Sequence, residues 1–252
     1  MRRTRSGLAY FTGGTGDPLL LLLHGLGATA AVWRRLLPLI AESWPGRWAA
    51  PDLRGHGLSV YEAPYGYAVH AADLAELATE LGASDVTVLG HSFGGVVGAV
   101  LGGGWYGVDV HRVVALGVKI DWTEDEVGRA RAMSVRPPQV FATAAEAADR
   151  HVKLAGLQGL VDPVDPVAQA GVRRTHRGWV AALDPRAFGA VGPPVETVLA
   201  RCAAPLRLAA GASDAMVGLD TMRRIDPDAV LIDGAGHNAH WETPEAVRRL
   251  LD

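Results

Sequence analysis

"VTVLGHSFGGVVGAV", residues 86–100, is the stretch on which the reading of the fold turns. Its first residues are apolar and partly β-branched, as in a short buried strand, and its last are small and apolar, as in a closely packed helix. Between them, Gly90-His91-Ser92-Phe93-Gly94 matches the G-x-S-x-G pattern in the strand–turn–helix setting that the pattern needs. A serine on so tight a turn has strained backbone angles, so the residues two before and two after it must be small. The hydroxyl is then pushed clear of the sheet, at the N-terminus of a helix whose dipole favours negative charge. The competing reading is a glycine-rich turn that happens to hold a serine, and the flanking chain weighs against it.

Outward from this turn, short apolar runs alternate with amphipathic segments. "PLLLLLHG" (18–25), "WAAPD" (48–52), "DVTVLG" (85–90) and "HRVVALGV" (111–118) read as strands, and so do "APLRLAAG" (204–211) and "DAVLIDG" (228–234). "TAAVWRRLLPLIAE" (29–42) and "AVHAADLAELATELG" (68–82) have helical spacing, the second stopped by Gly82. "TPEAVRRLLD" (243–252) is a final helix with Thr243 as N-cap and Pro244 in its first turn. Apolar strands alternating with helices predict a mostly parallel, doubly wound α/β sheet of seven or eight strands, covered on both faces. At the N-terminus only "GLAYFTGG" (7–14) is a clear strand, so the first strand is expected to be short or absent.

Residues 121–196 break the rhythm. "TEDE" (123–126) and "TAAE" (143–146) fit the capping-box pattern and each should open a helix, while "VDPVDPV" and "VGPP" supply turns and no strand is evident. The expected organisation is a core of residues 1–120 and 197–252, with a helical cap inserted at 121–196.

A nucleophilic serine needs a base, an acid to orient the base, and donors for the developing oxyanion. Each has a candidate at a strand end: Asp214 in "GASD", His237 in "GAGHNAH", and the turn "HGLG" (24–27), whose Leu26 N–H pairs with that of Phe93 as an oxyanion hole. Ligands of open α/β sheets bind beyond the carboxyl ends of the strands, where all of these would converge. His237 and His240, three apart, could instead be half of a metal site. That would need both rings on one helix face and a third ligand, and no third ligand is evident, so no metal is expected. His240 is read as a packing or hydrogen-bonding residue at the start of the last helix, and His24 and His91 as structural residues beside backbone turns. Asp52, Arg54 and His56 in "DLRGHGLS" could be a charge relay or a tight loop after a strand. Asp121, which also ends a strand, is the runner-up acid. Arg173, Arg174 and Arg177 could bind an anion, although the near-balance of charge in the insertion favours a solvated face.

In "HGLG", "PDLRGHGLS" (51–59), "GHSFGG" (90–95), "GASD" (211–214) and "HNAHWETP" (237–244), the chain resembles the α/β-hydrolase fold enzymes with a serine nucleophile, over nearly its whole length. The family's chain order is nucleophile, acid, histidine, and Ser92, Asp214 and His237 match it. Serine at the elbow points away from the epoxide hydrolases and haloalkane dehalogenases of the family, which have aspartate there. The resemblance implies a cap-bearing hydrolase of a carboxylic ester, lactone or thioester. A carbon–carbon bond hydrolase, an acyltransferase or cyclase with the same triad, and a non-catalytic binding member of the fold remain alternatives.

Composition bounds the remaining expectations. The chain has 252 residues, 49% hydrophobic and 20% charged, with a formal charge of −3, enough for one substantial core and poorly suited to nucleic acid or an anionic membrane surface. Cys202 is the single cysteine, so no internal disulfide or thiolate-rich zinc site can form. The apolar run at 19–23 is too short for a signal sequence and no stretch is long enough to span a membrane, so a cytoplasmic protein is expected. The expected partner is a small, apolar acyl substrate, with no cofactor; oligomeric state has no sequence signal. Trp122, Phe141, Leu154, Leu157, Trp179, Phe188 and Met216 are the candidate pocket residues.

Overall fold

The five leucines of Leu19–Leu23 are all buried, and they alternate between two faces. Leu20 and Leu22 join one core cluster, while Leu19, Leu21 and Leu23 join another. A strand apolar on both faces must be covered on both. The computed structural model, which describes residues 1–190 and 192–252, places this strand inside an eight-stranded sheet.

The strands are β1 (Arg2–Arg3), β2 (Ala9–Gly13), β3 (Leu19–Leu23), β4 (Arg47–Pro51), β5 (Val86–His91), β6 (Val110–Leu116), β7 (Val172–Thr175), β8 (Gly178–Ala181), β9 (Leu206–Gly211) and β10 (Val230–Ile232). The main sheet runs β1-β2-β4-β3-β5-β6-β9-β10, while β7 and β8 pair separately. The pairs β1/β2 and β2/β4 are antiparallel, and all other neighbours in the main sheet are parallel. The first strand is indeed short, two residues held by the register Arg3↔Ala9. From β3 the chain steps to one side, to β4, and then crosses to β5 on the other. Strand order therefore reverses between β3 and β5, and their carboxyl ends flank a crevice.

The helices of the first half are α1 (Leu37–Ser43), α2 (Tyr67–Glu80) and α3 (Phe93–Leu101). Leu74 and Leu77 of α2 and Val97 and Leu101 of α3 pack with Leu19, Leu21 and Leu23 on one face of the sheet. Trp33 and Ile40 cover the other face beside Leu20 and Leu22. The single helix expected over 29–42 is instead a 3-10 turn, Ala30–Arg35, followed by α1. Pro38 accounts for the break: it has no N–H to donate, so it is tolerated in the first turn of α1 but not inside a longer helix.

Between β6 and β9 lie α4 (Glu124–Ser134), α5 (Ala144–Leu154), α6 (Pro166–Ala170), the β7–β8 hairpin and α7 (Val195–Ala200). Thr123 and Thr143 each accept from the backbone N–H three residues on, and Glu126 and Glu146 reach back to complete both capping boxes. The hairpin corrects the expectation of a strand-free insertion. Its sequence, "VRRTHRGWVA", carries two arginines on β7 and a third in the turn, and only Val180 and Ala181 are buried, which hides the alternation by which a strand is recognised. Arg173 stacks on Tyr61 at 4.1 Å and Arg174 on Trp179 at 5.7 Å. Val198 and Leu199 of α7 already pack with Val96 and Ala99, so contact with the core resumes within that helix, across the expected boundary at 196/197. Beyond it lie α8 (Leu219–Arg223), α9 (Ala239–Glu242) and α10 (Pro244–Arg248). Thr243 does not cap α10 as expected; its hydroxyl donates back to the carbonyl of Ala239, because the same residue closes α9.

The loop after β4 is pinned by a buried carboxylate. Asp52 accepts from the N–H of Ala30 at 2.8 Å and that of Leu58 at 2.9 Å. Burial pushes its pKa up, only partly opposed by those two donors. Arg54 in turn grips Asp73 of α2 with two hydrogen bonds of 2.7 and 2.6 Å. "DLRGHGLS" is thus a structural loop. Asp52→Ala should leave both N–H groups without an acceptor and cost about 2–4 kcal/mol, read as a lower urea midpoint at unchanged m-value.

Candidate active site

The backbone of the elbow is the starting constraint. Ser92 has φ 49° and ψ −115°, the one positive φ among the described non-glycine residues. A Cβ on Gly90 would lie 2.6 Å from the Gly95 nitrogen, and one on Gly94 would lie 2.6 Å from the Leu23 carbonyl carbon. Neither position accepts a side chain. The Ser92 N–H donates to the carbonyl of Leu116 at 2.8 Å, which fixes the turn to the end of β6. Ser92 is partly exposed and stands directly before the first turn of α3.

Asp214 and His237 follow β9 and β10. His237 Nδ1 donates to Asp214 Oδ2 at 2.8 Å, leaving Nε2 as the free acceptor. The Asp214 side chain is 1% exposed and the His237 side chain 20%. The other oxygen of Asp214 accepts from the Met216 N–H at 2.9 Å, so both oxygens are engaged. The two loops are stitched together by Ala212 and Ser213, whose N–H groups donate to the carbonyls of Ile232 and Ala235, each at 2.9 Å. Glu242 accepts from the Gly236 N–H at 3.0 Å and closes the turn before His237. Asp121, the runner-up acid, is 65% exposed in its side chain and pairs with Arg224 at 3.0 Å.

His91 joins the elbow to the base loop. Its Nε2 donates to the backbone carbonyl of His237 at 2.9 Å, across 146 residues of chain. Its ring stands 4.7 Å from that of His237 and 4.4 Å from that of His240. No hydrogen bond joins the Ser92 hydroxyl to His237 directly. Sequence reasoning marked His91 as structural, but "GHS" alone holds no signal for a partner so distant in the chain.

The turn after β3 is equally well braced. His24 accepts from the Leu53 N–H at 2.8 Å through Nε2, so Nδ1 carries the proton and donates to the carbonyl of Gly25 at 2.8 Å. His56 accepts from the Gly27 N–H at 3.1 Å. Among the described residues, the N–H groups of Leu26 and Phe93 make no hydrogen bond.

The inserted segment reaches this turn. A Cβ on Gly27 would lie 2.7 Å from the carbonyl oxygen of Leu154, at the end of α5, and Asn238 donates to the carbonyl of Gly156 at 2.8 Å. Of the candidate pocket residues, Leu154 and Phe188 line a cavity of about 170 Å³. The others lie elsewhere. Leu157 is fully buried in the core with Trp33, and Phe141 pairs with Trp179 across an isolated bridge. Trp122 is 50% exposed and donates to the carbonyl of Lys119, and Met216 is 46% exposed. Apolar character marked all seven, and only Leu154 and Phe188 share one cavity.

His240 lies on α9, buried, with its ring 4.7 Å from Trp33 and neither ring nitrogen hydrogen-bonded. It packs; it does not cap. Among the described residues, no three His, Cys, Asp or Glu side chains are grouped to hold a metal ion. Burial lowers the pKa of His24 and His151 to about 4 and that of His240 to about 3, with His56 and His91 also well below the ordinary value. These rings stay neutral in the folded chain and take up protons near pH ~6.5 once unfolded. Their contribution to stability is therefore complete above pH ~6.5 and is lost as pH falls toward the folded values, each ring adding a slope of about 1.4 kcal/mol per pH unit. Thermal unfolding between pH 7 and 4 should show a steep fall in Tm. His240→Phe should flatten it by roughly one proton's worth, and an unchanged slope would show that His240 is not a neutral buried ring.

Comparison with known proteins bears on the family and the fold. The model described as "Alpha/beta hydrolase family" matches residues 20–250. The magnesium-chelatase 30 kDa subunit of Rhodobacter capsulatus is 31% identical over 247 residues, covering 91% of this chain and 84% of that protein. Lipase LipV of Mycobacterium tuberculosis is 39% identical over 85 residues, 34% of this chain and 31% of the lipase. The crystal structure of E-2-(acetamidomethylene)succinate hydrolase has a TM-score of 0.78 at 23% identity, covering 99% of this chain and 96% of that one, a likeness of fold. The chain belongs to the alpha/beta hydrolase family.

Proposed function

We propose that this chain is a serine hydrolase that cleaves a carboxylic ester, lactone or thioester through an acyl-enzyme on Ser92. The observation that carries the reading is the 2.8 Å hydrogen bond between His237 Nδ1 and buried Asp214, on loops beside a serine held at positive φ. With Nδ1 committed to the carboxylate, Nε2 is the nitrogen that takes the proton as the Ser92 hydroxyl attacks the carbonyl carbon. Asp214 holds the ring in that tautomer and stabilises the imidazolium. The tetrahedral oxyanion is met by the N–H groups of Leu26 and Phe93, donors held in place before the substrate arrives. His237 then returns the proton to the leaving alcohol or thiol, and water attacks the acyl-enzyme by the same route. His91 acts through the base: its hydrogen bond to the His237 carbonyl sets where the imidazole stands relative to the elbow. In this reading residues 121–196 form a cap, supported by the contacts of Leu154 with Gly27 and of Gly156 with Asn238.

The likeness to a protein named as a magnesium-chelatase subunit supports a second reading, action beside a larger assembly. Absence of turnover on every ester, lactone and thioester offered, with co-elution in a larger complex, would favour it.

A fluorophosphonate probe should label the chain once, and Ser92→Ala should abolish labelling; labelling that persists in the variant would overturn the assignment. On whichever acyl substrate turns over, His237→Ala and Asp214→Asn should each lower kcat by about 10³–10⁵-fold. His91→Gln should retain probe labelling and KM but lower kcat by about tenfold, since it shifts the base without removing it. Equal losses in kcat for His91→Gln and His237→Ala would assign His91 a direct role instead.

A further inference from the structure

The cavity within the inserted segment combines apolar and cationic lining. Leu154, Leu183, Pro185 and Phe188 supply apolar walls, and Arg136, which is exposed, and Arg150, which is half-buried, also line it. No acidic residue lines it. Among the described residues neither guanidinium has a salt bridge or side-chain hydrogen bond, whereas Arg54, Arg186, Arg224 and Arg248 are each paired with a carboxylate. Two arginines on one cavity with no acidic residue in its lining favour an anion there, and a carboxylate is an acceptor that guanidinium groups bind well.

Two walls of the cavity rest on the loops after β3 and β4. Leu154 is one of its walls and lies against Gly27, next to Leu26. Leu183, another wall, bridges to His56, which holds the Gly27 N–H. At about 170 Å³ it is smaller than the ~300 Å³ of typical small-molecule sites, so it suits a short alkyl group ending in one charge.

We propose that this cavity is a carboxylate subsite, in which Arg136 and Arg150 bind the free acid end of a substrate whose scissile acyl carbon lies at Ser92. The inference rests on the serine-hydrolase reading and names its substrate class: the half-ester or half-thioester of a short dicarboxylic acid, apolar along its body and anionic at its far end. The expected apolar substrate is thereby revised at one end only.

Two measurements test it. With wild-type protein, kcat/KM should be higher for a monoanionic half-ester of glutaric acid than for a neutral butyrate ester of the same alcohol, and that preference should shrink with added salt. In the Arg136→Gln/Arg150→Gln double variant the ratio of the two kcat/KM values should fall about tenfold, with fluorophosphonate labelling of Ser92 retained as evidence of an intact fold. An equal ratio in both proteins, or a wild-type preference for the neutral ester, would overturn the subsite. Independently of turnover, glutarate itself should bind the Ser92→Ala variant by calorimetry, and the triple variant lacking both arginines should bind about tenfold more weakly. Unchanged binding, or none in the first variant, would also overturn it. Failure of labelling at Ser92 with glutarate binding intact would instead remove the hydrolase reading and leave the anion site standing.

Discussion

The turn from β5 into α3 is the constraint on which the rest depends. A non-glycine residue at positive φ costs on the order of 1–3 kcal/mol and persists only where its surroundings hold it there. Here they do so from three sides: the Leu116 carbonyl takes the Ser92 N–H, and Gly90 and Gly94 let the chain close against Gly95 and Leu23 with no room for a side chain. The strain is therefore local while its support is tertiary, drawn from β3, β6 and α3. Relieving it would return the hydroxyl toward the sheet. The fold exposes Ser92 at the cost of never allowing a methyl group at either glycine.

Around that turn the site is organised by neutral histidines rather than by charge. His24 and His56 brace the loops after β3 and β4, His91 joins the elbow to the His237 carbonyl, and His240 fills space against Trp33. Each ring has an apolar body and two nitrogens, so it packs like a core residue while meeting a backbone group where one is available. Burial keeps these rings uncharged, so none of them places a positive charge beside the hydrogen bond between His237 and Asp214.

What was legible in the sequence divides by mechanism. The buried strands announce themselves because continuous apolar runs have few other uses, and Leu19–Leu23, Val86–His91 and Leu206–Gly211 all form within two residues of their expected ends. The placing of Ser92, Asp214 and His237 at strand ends was legible too, because the sheet brings carboxyl ends together wherever they occur in the chain. Less legible were features set by a single local exclusion, such as Pro38 dividing one expected helix in two, or Thr243 turning its hydroxyl to Ala239 instead of capping α10. The β7–β8 hairpin was hidden by its arginines. Long-range ties such as that from His91 to the His237 carbonyl leave no trace in spacing.

The lining of the cavity in the inserted segment was the least legible feature, and the reason lies in how that segment is built. A core position is reported by the period of its element, since one face must be dry. In an insertion of short helices, turns and one hairpin, Leu157 and Leu154 lie three residues apart. Yet Leu157 packs wholly into the core, while Leu154 both lines the cavity and rests on Gly27. Hydrophobicity is the same for both. What separates them is whether the next layer of atoms is protein or space, and that depends on how α5 leans against the turn after β3. The charged walls of the cavity are hidden for a related reason. Arg136 and Arg150 look in sequence like any other solvated arginine, and only their place beside one cavity in the folded chain distinguishes them. On the proposed reading, specificity resides in what the insertion leaves unpaired, whereas the chemistry resides in what the sheet aligns.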